Sequence, residues 1–276
     1  MTPNNPAAPP AGIAEPGSDL APRYLDQILA IADTEILKIR RDPVELLTRA
    51  AQPILWLLVF GQVLGRVKGI STNGESYLAF FAPGVLAQSV LFSAIFYGIA
   101  VIWERDLGII HKLLVSPAPR SALVLGKAIA SGLRGLVQAV IIYIVVLLAG
   151  IPVSLNPLNV AGVFAAVVLG SAIFSTFSLI VACWVKTREK FMGIGQLLTM
   201  PLFFASNAIY PLTLMPGWLQ TVARLNPLTY LVDACRSLMI PGTAGMTSLP
   251  VDFAVMALVL AILVVIATKI YPNLIR

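Results

Sequence analysis

Residues 77–103 read YLAFFAPGVLAQSVLFSAIFYGIAVIW, an apolar stretch that contains no Asp, Glu, Lys or Arg. Its apolar residues run continuously instead of alternating with polar ones, which is typical of a membrane-spanning helix and not of a barrel strand. A helical span needs about 20 such residues. This stretch is therefore long enough to cross a bilayer as a helix.

The rest of the chain has the same character. Of its 276 residues, 58% are apolar and 12% are charged, and the mean hydropathy is +0.88. Soluble domains carry about 25% charged residues. We therefore predict an all-α membrane protein with six transmembrane helices, whose approximate cores are residues 50–64, 77–103, 122–149, 160–185, 191–209 and 251–270. The third could begin near Gly135, with its earlier part lying along the membrane surface.

The chain divides into three parts. Residues 1–22 are rich in Pro and Ala and are predicted to be a disordered tail. Residues 23–49 have apolar side chains at spacings of three and four, which predicts an amphipathic helix in the membrane interface. A helix packed against a soluble partner would show the same pattern. Residues 50–276 form the predicted six-span domain.

The distribution of Lys and Arg predicts the orientation of the spans. With the N-terminus in the cytoplasm, 13 Lys and Arg residues fall in inner segments and four in outer segments. Both termini are therefore predicted to be cytoplasmic. The net charge of +6 lies at the ends of apolar runs and not on a solvated face, which argues against nucleic acid as a partner.

Sequence motifs for catalysis are absent. The chain has no G-x-x-x-x-G-K-[ST] phosphate loop and no G-x-S-x-G, and its single His excludes a multi-histidine zinc site. Cys183 and Cys235 are predicted near opposite membrane faces, too far apart for a disulfide. We predict a non-catalytic protein that binds no cofactor or metal. A secondary transporter and a membrane-embedded transferase are the alternatives. The first would need a buried carboxylate for a coupling ion and the second clustered acidic or histidine residues near one membrane face, and the interiors of the predicted spans contain neither.

Residues 103–117, WERDLGIIHKLLVSP, form a short polar segment between two apolar ones, predicted on the cytoplasmic side. Its Leu, Ile and Val residues recur at helical spacing, so an amphipathic helix could seat in the groove of a soluble partner. Glu104 and Asp106 suit a helix N-terminus, Lys112 lies near the C-terminus, and Pro117 ends the segment. The alternative is a solvated connector that only turns the chain.

Two further regions carry polar residues. Near the outer end of the fifth span, aromatic and amide groups could line a route for an amphiphilic ligand or simply pack there: Phe203, Phe204, Asn207 and Tyr210. The link 210–250 is too apolar for a solvated loop, which predicts two short helices broken at Pro227 that dip into the outer leaflet. Arg134 and Gln138 share a helix face and either line a polar interior or let Arg134 reach the interface.

Two stretches resemble the signatures of a known family. Residues 104–117, ERDLGIIHKLLVSP, are similar to the E-R-E-x-G-T-L-E-x-L-L-V-T-P segment of ABC type-2 export permeases, the membrane subunits of daunorubicin-resistance and nodulation-factor type exporters. Residues 216–236, PGWLQTVARLNPLTYLVDACR, are similar to that family's second signature. The resemblance extends over residues 23–270. Asp106 stands where Glu is usual, and His111 replaces an acidic residue, which removes one negative charge.

The resemblance implies a permease that works as a homodimer beside two copies of a separate ATP-binding cassette ATPase, which would hold ATP and Mg. It implies export of a hydrophobic or amphiphilic substrate, such as a drug, a lipid or a lipid-linked saccharide, across a bacterial cytoplasmic membrane. The segment after the second span would be a coupling helix that docks on the ATPase, through Glu104, Arg105, Asp106, Gly108, His111, Lys112, Leu113, Leu114 and Pro117. The outer re-entrant signature would comprise Asn226, Pro227, Tyr230, Asp233 and Arg236.

Overall fold

The computed structural model describes residues 33, 37, 48, 51–66, 76–110, 119–185, 187–243 and 245–274. This part of the chain is helical and contains no β-strand. We number its helices α1 to α8 in chain order: Ala51–Val63, Tyr77–Asp106, Arg120–Leu148, Pro157–Trp184, Arg188–Phe204, Gly217–Leu225, Pro227–Met239 and Leu249–Ile270. The central turns of α1, Trp56–Phe60, are π-helical.

Helices occupy all six stretches that the sequence predicts to be apolar spans. Four of them, α2, α3, α4 and α8, are long and apolar enough to cross a membrane, which confirms an all-helical membrane protein. Helix α1 is shorter, and α5 ends at Phe204, before the predicted limit at residue 209. Helix α3 is continuous from Arg120, which agrees with the predicted core at residues 122–149 and not with the alternative start near Gly135.

Local sequence signals set the helix ends. The Ser76 hydroxyl accepts a hydrogen bond from the Ala79 N–H at the start of α2, and the Asn156 side chain caps α4, which has Pro157 in its first turn. Helix α2 ends just before Gly108, which has a φ of 71°. This left-handed conformation costs a residue with a Cβ about 1–2 kcal/mol, so glycine suits the position.

Helix α4 lies at the centre of the bundle and packs against α2, α3, α7 and α8, whereas α1 and α5 pack mainly on α2. Small residues let the central helices approach closely. A Cβ at Gly98 of α2 would overlap the Ser178 hydroxyl of α4 and the Phe191 ring of α5, and the Gly98 N–H donates to that hydroxyl at 3.1 Å. The absence of a side chain at Gly98 therefore allows α2, α4 and α5 to pack this closely.

The helices run antiparallel, so the bundle has two distinct ends. At the Glu104 end, α2, α4 and α8 finish and α3 and α5 begin. The Arg236 end contains the start of α2, the irregular chain after α5, and the short helices α6 and α7. The Tyr77 hydroxyl donates to the Ile209 carbonyl there at 2.9 Å. Cys183 and Cys235 are both free and buried, one at each end.

The predicted tail, residues 1–22, lies outside the described residues. So does most of the predicted interfacial helix at 23–49. Its described residues, Asp33, Leu37 and Thr48, are helical and exposed.

Candidate functional site

A buried ion pair lies at the Glu104 end. The Lys127 ammonium, in the second turn of α3, donates to the Glu104 carboxylate in the last turn of α2. Both residues are buried. A carboxylate is unfavourable in the last turn of a helix. Lys127 therefore compensates the position of Glu104, and the pair joins α2 to α3.

A second, more exposed charge cluster continues from this pair. Arg105 donates to the Val185 carbonyl just beyond α4 at 3.3 Å and pairs with the Asp106 carboxylate at 3.0 Å. The other carboxylate oxygen of Asp106 pairs with Arg188 in the first turn of α5 at 3.1 Å. The Arg188 guanidinium also lies 4.8 Å from the ring centroid of Trp103. The end of α2 is thus tied to α3, α4 and α5.

The expectation that Glu104 and Asp106 open a helix is wrong. Both belong to the last turn of α2, because their side chains find cationic partners on neighbouring helices and the span helix continues through them. The chain then turns at Gly108 and is helical again at Ile109 and Ile110. The apolar side chain that this turn exposes most is Leu107, at 69%.

The predicted coupling residues divide into three groups. Glu104 is buried in the bundle, whereas Arg105, Asp106 and Gly108 are partly or fully exposed. The remaining predicted residues lie outside the described part of the chain: His111, Lys112, Leu113, Leu114 and Pro117.

Sequence reasoning missed Lys127 and Arg188 as members of this site. It placed Lys127 within the third span without a partner and counted Arg188 only as an inner-facing charge. The available signal was that a Lys inside a span almost always pairs with an opposite charge or a carbonyl group. The partner itself could not be read from the sequence, because it depends on which helix faces α3.

A polar interface continues between α2 and α3 towards the centre of the bundle. The Arg134 guanidinium lies 4.6 Å from the ring centroid of Tyr97, and the Lys127 ammonium lies 5.7 Å from the same centroid. Further along, the Ser89 hydroxyl donates to the Gln138 side-chain carbonyl at 2.9 Å. Of the two alternatives for Arg134 and Gln138, a polar interior between two helices fits these contacts.

The four residues proposed from sequence for a substrate route lie in different environments. Phe203 and Asn207 are buried, and Phe203 and Phe204 make edge contacts with the ring of Trp56 in α1 at 6.0 and 6.5 Å. Phe204 is 42% exposed, and the partly exposed Tyr210 donates its hydroxyl to the Phe204 carbonyl at 2.8 Å. Of these four residues, only Phe204 and Tyr210 therefore have exposed side-chain surface that a ligand could contact.

At the Arg236 end, Asn226 separates the two predicted short helices, α6 and α7. Its side-chain oxygen accepts from the Leu228 N–H at 3.0 Å and caps α7. Its amide nitrogen donates to the carbonyls of Leu202 and Ala205 at 2.6 and 2.8 Å. Carbonyls at a helix C-terminus have no partner within the helix, so this one side chain completes the end of α5 and the start of α7. Pro227 follows in the first turn of α7.

The carboxylate of Asp233 organises the chain before α8. One of its oxygens accepts from the Met246 N–H and the other from the Thr247 N–H, both at 2.9 Å. The Thr247 hydroxyl also donates to the buried carboxylate of Asp252 in α8. Asp233 thus holds the segment between α7 and α8 by its backbone.

The guanidinium of Arg236 is buried and bonded to backbone carbonyls. One of its nitrogens donates to the Asn207 carbonyl at 2.8 Å and to the Phe80 carbonyl at 3.3 Å. The guanidinium also lies 3.9 Å from the ring centroid of Phe80. Arg236 therefore connects α7 to α2 and to the irregular chain after α5. The remaining signature residue, Tyr230, donates its hydroxyl to the Arg224 carbonyl at 2.8 Å.

A helical bundle with four helices able to span a bilayer and charged clusters at both ends defines a polytopic membrane protein. Within the described residues, no group of three or more His, Cys, Asp or Glu side chains could hold a metal ion.

Comparison with known proteins identifies the family. The profile of the family described as "ABC-2 type transporter" matches residues 26–240. The chain is 28% identical to the putative transport permease ycf38 of Cyanophora paradoxa over 78% of this chain and 74% of that protein. It is 26% identical to the daunorubicin resistance ABC transporter permease protein DrrB1 of Streptomyces coeruleorubidus, over 84% and 81% of the two chains. It is 28% identical to the inner membrane transport permease YadH of Escherichia coli K12, over 66% and 70%. The chain therefore belongs to the ABC-2 type transporter family and is a membrane transport permease subunit.

Proposed function

We propose that this protein is the membrane subunit of an ATP-driven exporter and that a separate ATP-binding cassette ATPase supplies the energy. Two permease chains and two ATPase chains would form the transporter, with ATP and Mg bound by the ATPase. Family membership and the absence of a phosphate loop from the sequence support the assignment of ATP binding and hydrolysis to a separate subunit. The permease itself would then carry out no chemical step.

In this proposal all six helices α1–α5 and α8 cross the bacterial cytoplasmic membrane, and both termini are cytoplasmic. The excess of Lys and Arg in the inner segments supports this orientation. The Glu104 end then faces the cytoplasm. The short helices α6 and α7 are re-entrant from the outer side, where α7 is buried against α2 and α4.

One observation carries the coupling role: the segment 107–119 leaves α2 at the point where charged side chains tie that helix to α3, α4 and α5. A force applied to this segment by a closing ATPase would reach four helices through named contacts. ATP binding shifts the permease between two states only if the contacts in those states differ. The exposed Asp106–Arg188 pair is a contact that can break at low cost, since exposed ion pairs contribute about 0–1 kcal/mol.

The proposed substrate is a hydrophobic or amphiphilic molecule such as a drug, a lipid or a lipid-linked saccharide. One relative is named for daunorubicin resistance, which supports an amphiphilic drug as one candidate. Phe204 and Tyr210 beside Trp56 provide aromatic surface for such a molecule. They are the residues that we assign to the route, whereas Phe203 and Asn207 would support them from within.

Co-purification with the ATPase encoded beside this protein tests the proposal. The wild-type permease should retain that ATPase in detergent and change its rate of ATP hydrolysis. The double variant Leu107→Glu/Ile109→Glu places charges on the exposed apolar side chains after α2 and should lose the ATPase while it still inserts in the membrane.

Leu148→Glu is the matched control, because it charges an exposed leucine at the opposite end of the bundle. It should retain the ATPase. A wild-type protein that never binds the ATPase would overturn the exporter function. Equal retention by the double variant would show that the segment after α2 is not the docking element.

A further inference from the structure

The Glu104–Lys127 pair lies at the base of the proposed coupling segment. Glu104 is in the last turn of α2, before the segment 107–119 begins, and Lys127 is in the second turn of α3, after that segment ends. The ion pair therefore joins the two helices from which the segment emerges. We call these two side chains the clasp.

The clasp is buried beside two tyrosines. The aromatic ring of Tyr97 in α2 lies beneath the Lys127 ammonium, 5.7 Å away at its centroid. The fully buried Tyr271 follows the end of α8. Burial raises the pKa of Tyr271 to about 12, and the charge of Lys127 opposes this rise, so the two side chains act on each other. Water screens a charge pair in such a setting far less than it screens an exposed one.

The clasp also differs from the neighbouring pair at the same end. Asp106 and Arg188 each leave 39% of their side chains exposed, whereas the side chains of Lys127 and Glu104 are 6% and 11% exposed. An exposed pair can separate into water, but a buried pair that separates leaves two charges without solvent. The exposed pair is therefore suited to break and re-form during a transport cycle, and the buried pair is suited to persist.

We propose that Lys127 is a positioning residue for energy coupling: by holding Glu104 it makes α2 and α3 respond together to movement of the segment between them. This inference rests on the proposed function. With the clasp intact, a displacement of residues 107–119 moves the ends of both helices as one unit. Without it, movement of α2 would no longer be passed to α3 through this pair, while Arg105 and Asp106 would still join α2 to α4 and α5.

The test uses the complex of the full-length permease with its ATPase in proteoliposomes, with ATP and orthovanadate as the probe. Hydrogen–deuterium exchange is measured in peptides of α2, α3 and α4 with and without the probe, together with the rate of ATP hydrolysis. In the wild type the probe should change exchange in all three helices. Lys127→Met should retain the ATPase and the change in α4, which Arg105 still joins to α2, but should lose most of the change in α3.

Two further variants separate positioning from folding. The exchanged pair Glu104→Lys/Lys127→Glu should restore the response of α3, because it restores the contact. Lys190→Met is the matched control, since it removes an exposed lysine from the same end of the bundle, and it should behave like the wild type. If Lys127→Met does not insert in the membrane, Lys127→Arg and the exchanged pair replace it, and both should respond.

The outcomes are distinct. A Lys127→Met complex with the full wild-type response in α3 overturns the inference, and so does an exchanged pair that inserts and binds the ATPase but leaves α3 unresponsive. A wild-type permease that does not bind the ATPase contradicts the proposed function itself, before the clasp is tested.

Discussion

The two ends of the bundle both bury charged side chains, but they satisfy them in different ways. At the Glu104 end, the charged groups are bonded mainly to other side chains: Glu104 to Lys127, and Asp106 to Arg105 and Arg188. At the Arg236 end, charged and amide side chains are bonded mainly to the backbone. Arg236 and Asn226 donate to carbonyls, and Asp233 accepts from two N–H groups.

The difference follows from the backbone at each end. In a bilayer, irregular chain needs every N–H and C=O group satisfied within the protein. The Arg236 end contains the irregular chain after α5 and before α8, so its polar side chains serve the backbone and hold it in one arrangement. At the Glu104 end, the exposed bonds of Asp106 can be exchanged for other bonds between side chains, whereas the buried Glu104–Lys127 pair persists. We infer that the Arg236 end is the rigid one and that, at the Glu104 end, the exposed pairs are suited to change.

The largest loss of stability should come from Arg236→Met, which removes the guanidinium that joins α7 to α2 and to the chain after α5. It removes the donor for two carbonyls, those of Asn207 and Phe80, and each unsatisfied buried group costs about 1–3 kcal/mol. Thermal unfolding in detergent should show a protein destabilised by about 2–6 kcal/mol. Arg224→Met, at an exposed site in α6, is the control and should be neutral. An unchanged unfolding temperature for Arg236→Met would refute the assignment of a rigid end.

A smaller loss, of about 2–3 kcal/mol, is expected for Asn226→Ala, because it removes the cap of α7 and the donor for two carbonyls at the end of α5 whose hydrogen bonds are only partly buried. Asn226→Ser separates these roles, since its hydroxyl can still accept the Leu228 N–H but it has no amide to donate to the Leu202 and Ala205 carbonyls. It should be more stable than Asn226→Ala in the same unfolding assay. If both variants matched the wild type, the side chain would not join α5 to α7.

Gly108→Ala tests the turn that follows α2 at the Glu104 end. The left-handed φ of 71° should cost alanine about 1–2 kcal/mol, although a Cβ there meets no other atom within 4 Å. We expect global stability to fall by no more than this amount, while ATP hydrolysis by the complex becomes less dependent on the permease. Hydrolysis rates and unfolding are measured on the same preparation. Wild-type coupling in this variant would argue against a defined turn at Gly108.

The smallest change in stability is expected for Asp106→Asn. Its pairs with Arg105 and Arg188 are exposed, so their loss should cost about 0–1 kcal/mol, and less at high salt. Unfolding measured at low and at high salt gives both the loss of stability and its dependence on salt. A loss as large as that of Arg236→Met would show that the two ends do not differ in the way described.

Much of the fold could be predicted because its signals are local. Continuous apolar runs predict helices, and helices occupy all six stretches. Ser76 and Gly108 mark the ends of α2 by their own chemistry. The break before Pro227 separates two short helices as predicted. The extent of α3 agrees with the core predicted at residues 122–149, although the polar Lys127 and Ser131 interrupt its apolar pattern; both are buried against neighbouring helices.

The sequence by itself determined the class of protein, the positions of its helices and the two family signatures, since each depends on composition or short-range spacing. Only the tertiary structure decided what the charged residues do. Glu104 was predicted on the docking surface and instead faces Lys127 in the bundle interior. The sequence assigned Arg236 only to the outer signature, and its contacts with Phe80 and Asn207 depend on the fold. The physical reason is that a buried charge is stabilised by its partner, and these partners lie far away in the sequence on helices that only folding brings together.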